Sequence, residues 1–127
     1  MIAAVFVLFA SQASFDIPNQ RADAARDSLR ECLQANASAA VVRMDPELAF
    51  EIARKQCWTL RTDYRDTLGP VAERYLQKKG VKHYAQDVVD LIADETFELS
   101  VKRIEDGVLA EVSLRRPQAR MVAKSPG

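Results

Sequence analysis

Two cysteines limit this chain more than any other feature. Cys32 and Cys57 are the only cysteines among its 127 residues. Each falls in a stretch whose apolar residues recur at helical spacing. Between the two stretches stands Arg43-Met44-Asp45-Pro46, which reads as a turn leading into a helix. Asp45 suits the N-cap, Pro46 suits the first helical position, where its missing N–H is not needed, and Glu47 complements the positive end of the helix dipole. Helices joined by so short a turn run antiparallel, so a bond between the cysteines would staple a helical hairpin.

The staple fixes the length of the first helix. Cys57 lies about 17 Å into the second helix, and the Cα atoms of a disulfide must come within about 7 Å of each other. A first helix that stopped at Asn36 would put Cys32 only about 6 Å from its end, at the wrong height. Helix one is therefore expected to continue through Ala37, Ala39 and Ala40 to about Val42. Its apolar face is Ala22, Ala25, Leu29, Cys32 and Leu33, at spacings of three and four. The facing stripe is Phe50, Ala53, Cys57, Leu60, Tyr64 and Leu68, a near-heptad pattern suited to antiparallel packing. Trp58 sits beside that stripe, placed to cover the disulfide or to lie half exposed.

Beyond the hairpin, Gly69-Pro70 predicts a helix end and a new start, with one long helix kinked at Pro70 as the alternative. Gly80 predicts another stop. A last long helix is expected from about Lys82 to Asp106, closed by Gly107, with Ala85, Val88, Leu91, Ile92, Leu99, Val101 and Ile104 as its apolar positions and Phe97 offset. Val108–Leu114 alternates like a strand but has no second strand to pair with, so helix is favoured. The fold expected is all-α: a small helical bundle built on the antiparallel hairpin and carrying one disulfide. Its divisions are a signal-like segment over 1–13, a helical domain over 14–116 and a flexible basic tail over 117–127.

The amino-terminal segment bears on location. Ile2–Ala10 is an unbroken apolar run of nine residues, well short of the roughly 20 a bilayer span needs. Ser11-Gln12-Ala13 follows with small residues where a signal peptidase reads. The expectation is a secretory signal removed after Ala13 or within a few residues, and a periplasmic or secreted protein. A disulfide belongs in such a compartment, so the two readings support each other. Retained, the run would instead anchor a membrane-associated accessory protein, with membrane contact through this segment.

Candidate chemistry is sparse. The chain holds 18 basic and 18 acidic residues. A balanced chain has no global field to draw nucleic acid, so none is expected as a partner. The basic tail (Arg115, Arg116, Arg120, Lys124) reads as a solvated end. The single histidine, His83, stands with Asp87, Asp90 and Asp94 at spacings of four, three and four, a candidate row for a divalent cation. Ligands stacked along one straight helix do not converge, so this row reads as a solvated face and no metal or cofactor is expected. There is no phosphate loop, nucleophile elbow or CxxC motif, and no catalytic residue can be assigned; the chain is read as a non-enzyme.

The pattern Glu31-Cys32 on one helix and Glu51-x-Ala53-x-x-x-Cys57 on the next resembles a loose group of small exported proteobacterial proteins. These have a short signal, a two-cysteine helical hairpin and no assigned activity. The likeness covers roughly Ala22 to Tyr64 and implies export and a Cys32–Cys57 disulfide, with no mechanism. The function expected is that of an exported helical protein, a binding or structural module of the envelope or periplasm whose partner is a protein or an envelope component.

Overall fold

In a computed structural model the chain is described over residues 17–124, with side chains described through residue 115. The signal-like segment 1–13 and the tail's side chains from Arg116 onward lie outside these residues. Helix α1 spans Ile17–Ala40, α2 Pro46–Gln56, α3 Trp58–Lys78 and α4 Gln86–Lys124. Among the described residues every regular element is a helix, as the sequence predicts.

The helices form an up–down–up bundle in which α2 and α3 make one arm, and α1, the arm and α4 all pack on one another. The arm is irregular only at Cys57, where φ is −98° and ψ is 14°. Backbone bonds continue across it, with the Cys57 N–H donating to the Ala53 carbonyl at 2.9 Å and the Arg61 N–H to the Cys57 carbonyl at 3.1 Å. Helix α1 runs antiparallel to this arm. The Cys32 and Cys57 sulfurs lie at bonding distance, with Cα atoms 6.0 Å apart, and α1 reaches Ala40 before the turn. Helix α4 returns antiparallel to α3, as Arg65–Asp94 (2.6 Å) and Tyr64–Ser100 (2.6 Å) show. It therefore runs parallel to α1. The Gln34 amide donates to Glu111 at 3.1 Å and Arg115 donates to Ser38 at 3.0 Å, both pairs offset by 77 positions.

The core follows from small residues near the disulfide and larger ones beyond it. Buried positions are Ala22, Leu29, Leu33 and Ala37 on α1 and Ala49, Phe50 and Ala53 on α2. Helix α3 adds Tyr64, Leu68, Ala72 and Leu76, and α4 adds Val89, Ala93, Val101, Ile104, Val108 and Val112. Where α1 meets α2 the buried side chains mix small and large, with Ala37, Ala49 and Ala53 beside Leu33, Val41 and Phe50, so the backbones can approach closely at the alanines. Burying apolar surface is worth about 25 cal/mol per Å², so the alanine positions add little to this contact. The covalent link lies within it.

Several local signals resolve differently from the sequence pattern. Asp45 occupies the N-cap of α2 with extended backbone but makes no side-chain capping bond there. Pro70 lies inside α3, so the long-helix alternative holds. An interior proline costs about 3 kcal/mol, and here the flanking Leu68 and Ala72 are both buried, which offsets it. Gly107 does not end α4 either, since Ile104 and Val108 on either side are core residues. The helix continues through Val108–Leu114 and past Pro117 to Lys124, so the boundary drawn at 117 is no break in the backbone. Helix α4 also begins later than expected, at Gln86.

The Gly80 stop is met in full. Gly80 has φ +80°. The Val81 N–H bonds to the Leu76 carbonyl and the Gly80 N–H to the Gln77 carbonyl, both at 3.0 Å, which is a Schellman closure.

Two predictions follow from this packing. Cys32→Ala and Cys57→Ala should each lower stability by about 3–4 kcal/mol, and the double mutant by no more, because one bond is lost in every case; urea denaturation of the three variants checks this. An added Cβ at Gly107 meets nothing within 4 Å, so Gly107→Ala should stabilise by up to about 1 kcal/mol. Gly80→Ala should destabilise by about 1–2 kcal/mol, because the substitution is forced into left-handed backbone. Thermal melts of the pair distinguish the two glycines.

Candidate binding groove

The site residues singled out from sequence sit apart from one another. Cys32 is half-buried and Cys57 buried. Both sulfurs accept from the Asn36 side-chain amide, at 3.4 and 3.5 Å, and the same amide donates to the Cys32 carbonyl at 2.8 Å. The pair is thus a packed structural link. Its neighbour Trp58 is half exposed at 55% and carries the Arg61 guanidinium 5.0 Å above its ring; the same guanidinium lies 5.3 Å from the Phe97 ring.

The candidate cation row does not hold one helix face. His83 lies in the loop before α4, while Asp87, Asp90 and Asp94 lie on the helix, all exposed. Asp90 accepts from Gln86 and Asp94 is paired with Arg65. Among the described residues no three His, Cys, Asp or Glu side chains converge on a point that could hold a metal ion.

What the structure adds lies on α4. The apolar positions expected from the sequence include Val88, Leu91 and Leu99, yet these are exposed, Leu99 by 64%; the core uses Val89 and Ala93 instead. At the 77-residue offset between α1 and α4, Leu99 stands level with Ala22, inside the span of α1, so its exposure is a matter of helical phase: the buried stripe runs through Val89, Ala93, Val101 and Ile104, and Leu99 falls off it. A concave strip remains between α3 and α4.

That strip is a groove of about 350 Å³ whose apolar walls are Leu68, Val71, Ala72 and Tyr75 from α3 and Ile92 and Leu99 from α4. Glu95 and Thr96 form its polar edge. It meets a second depression of about 390 Å³ along the outer seam of α1 and α4, bordered by Arg26, Arg30, Ser100 and Arg103. Thr96 and Leu99 line both. The two form one channel, apolar at the α3–α4 end and cationic beside α1.

The arginines are weakly engaged. Arg26 lies 3.4 Å from Asp23 and 3.5 Å from Asp27, and Arg30 lies 3.8 Å from Asp27. Exposed pairs of this kind are worth about 0–1 kcal/mol. The 3.5 Å contact to Asp27 is made by the buried Arg26 Nε, which has no hydrogen bond. Arg103 makes no ion pair or hydrogen bond among the described residues. The sequence held no sign of this cluster, since its members come from two helices brought together only by the fold.

The fold and groove define a helical bundle with a Cys32–Cys57 pair at disulfide distance and, among the described residues, an amphipathic surface channel. No family model, curated protein or solved structure matches this chain.

If the groove is spare surface and not core, Leu99→Ser should change stability by less than about 0.5 kcal/mol, whereas Leu33→Ala, in the buried seam, should cost about 2–5 kcal/mol. Urea denaturation of both variants measures the contrast.

Proposed function

We propose that this protein is an exported, non-enzymatic binding module of the periplasm or cell envelope. The observation that carries the reading is the Cys32–Cys57 pair, set at bonding distance inside the α1–α2 contact. Disulfides persist in oxidising compartments and are rare where thiols are kept reduced. The pair lies in a seam where Ala37, Ala49 and Ala53 contribute little apolar area. The signal-like run ahead of the helical domain supports the same compartment. No described helix is long and apolar enough to cross a membrane.

The binding half of the reading rests on the groove. Exposed concave apolar surface beside uncommitted polar groups is the usual form of a ligand site. No described constellation supplies a nucleophile with a base, and the one histidine is an exposed loop residue, which favours binding over catalysis.

Expressed in a Gram-negative host with its own amino terminus, the protein should be released by osmotic shock and show no thiol reactive toward a maleimide under denaturing conditions. Recovery in the cytosol with two reactive thiols would overturn the proposal. Retention of Met1 in the membrane pellet would favour the anchored accessory protein instead.

A further inference from the structure

The channel along α4 has a chemical polarity that selects among ligands. Its apolar part lies between two helices and is closed on both sides by hydrocarbon: Leu68 and Ala72 from α3, Ile92 and Leu99 from α4. Its other part is bordered by Arg26, Arg30, Ser100 and Arg103, with the Ser100 hydroxyl accepting from Tyr64. From Ile92 to Arg103 the channel follows α4 for about 16 Å at 1.5 Å per residue. A ligand that fills it needs a narrow apolar body and one anionic end.

We propose that this channel binds a single-chain anionic amphiphile, with the acyl chain between α3 and α4 and a carboxylate or phosphate head among the three arginines. The proposal deepens the binding-module reading and rests on it. Guanidinium groups match the planar oxygens of carboxylate and phosphate and form charge-assisted hydrogen bonds to them. Arg103 has no described partner to give up. Arg26 and Arg30 would exchange only long, exposed contacts with Asp23 and Asp27. Glu95, at the apolar end, repels a head group placed there and so fixes the orientation.

Two other occupants fit less well. An anionic membrane surface is met by a convex or flat amphipathic face with excess positive charge. This site is concave, and the chain's net charge is zero. A partner helix is about 10 Å across with its side chains, too wide to enter a depression of about 350 Å³.

Titration of the purified protein with 11-(dansylamino)undecanoic acid, below its micellar range, tests this. Saturable one-to-one binding is expected, displaced by laurate and by dodecyl phosphate but not by dodecyltrimethylammonium. Arg103→Ala should weaken laurate binding about tenfold or more, Arg103→Lys should restore part of it, and Leu99→Asp should abolish it. Both positions are exposed, so an unchanged melting temperature confirms that these variants are folded. Equal displacement by the cationic amphiphile, or indifference to both substitutions, overturns the proposal. So does binding to phosphatidylglycerol vesicles with none to monomeric laurate. Binding of a Leu/Glu-patterned helical peptide without laurate binding overturns the amphiphile and leaves the binding module standing; binding of neither ligand overturns both.

Discussion

The covalent tie between α1 and the α2–α3 arm is the constraint on which the bundle depends. Cys32 and Cys57 lie where the facing positions are Leu29, Leu33 and Ala37 on one side and Ala49, Phe50 and Ala53 on the other, all buried. Alanine lets helices approach but removes little surface from water. Loop closure over a sequence separation of 25 supplies about 3–4 kcal/mol in the chain-entropy model, a large part of the ~5–15 kcal/mol typical of a domain. The larger core residues lie mostly on α3 and α4, where Tyr64 also donates to Ser100 and packs on Phe97 with ring centroids 5.8 Å apart. The tie therefore joins a thin seam to a better-packed pair.

The groove comes from the phase of α4. The buried stripe of that helix runs through Val89, Ala93, Val101 and Ile104, which leaves Ile92 and Leu99 to line an open strip beside Leu68, Val71 and Tyr75 of α3. Leu99 is where the consequence is plainest: it has the spacing of a core residue and the exposure of a surface one. The arginines on the same channel come from α1 and α4, so the apolar and cationic parts exist together only once the parallel offset of those helices is set.

The hairpin was legible in the sequence because its signals are local and agree with one another. Apolar spacing gave the faces of α1 and of the arm, Asp45-Pro46 gave the turn, and Gly80 gave the left-handed stop. Where the sequence misled, tertiary packing overrode a local preference. Pro70 and Gly107 are punctuation marks, yet each is flanked by residues the core needs, and the helices run through them. The phase of α4 was misread at its start because Val88 and Val89 are adjacent and equally apolar; only the position of α3 decides which faces in. The expected resemblance to exported two-cysteine hairpins stays a proposal about location, and the cysteine pairing it implied agrees with the geometry. The arginine cluster had no sequence signature, because Arg26 and Arg103 belong to segments that periodicity cannot place side by side.

Hydrogen exchange of the oxidised and reduced protein tests the central role of the tie most directly. If the link acts by restricting the unfolded chain, its loss lowers global stability. The slowest amides on all helices, around Leu33, Tyr64 and Val101 alike, should then exchange faster by one common factor of about 100 to 1,000, the equivalent of about 3–4 kcal/mol. Unchanged protection after reduction, or a loss confined to the few residues around Cys32 and Cys57, would contradict the account.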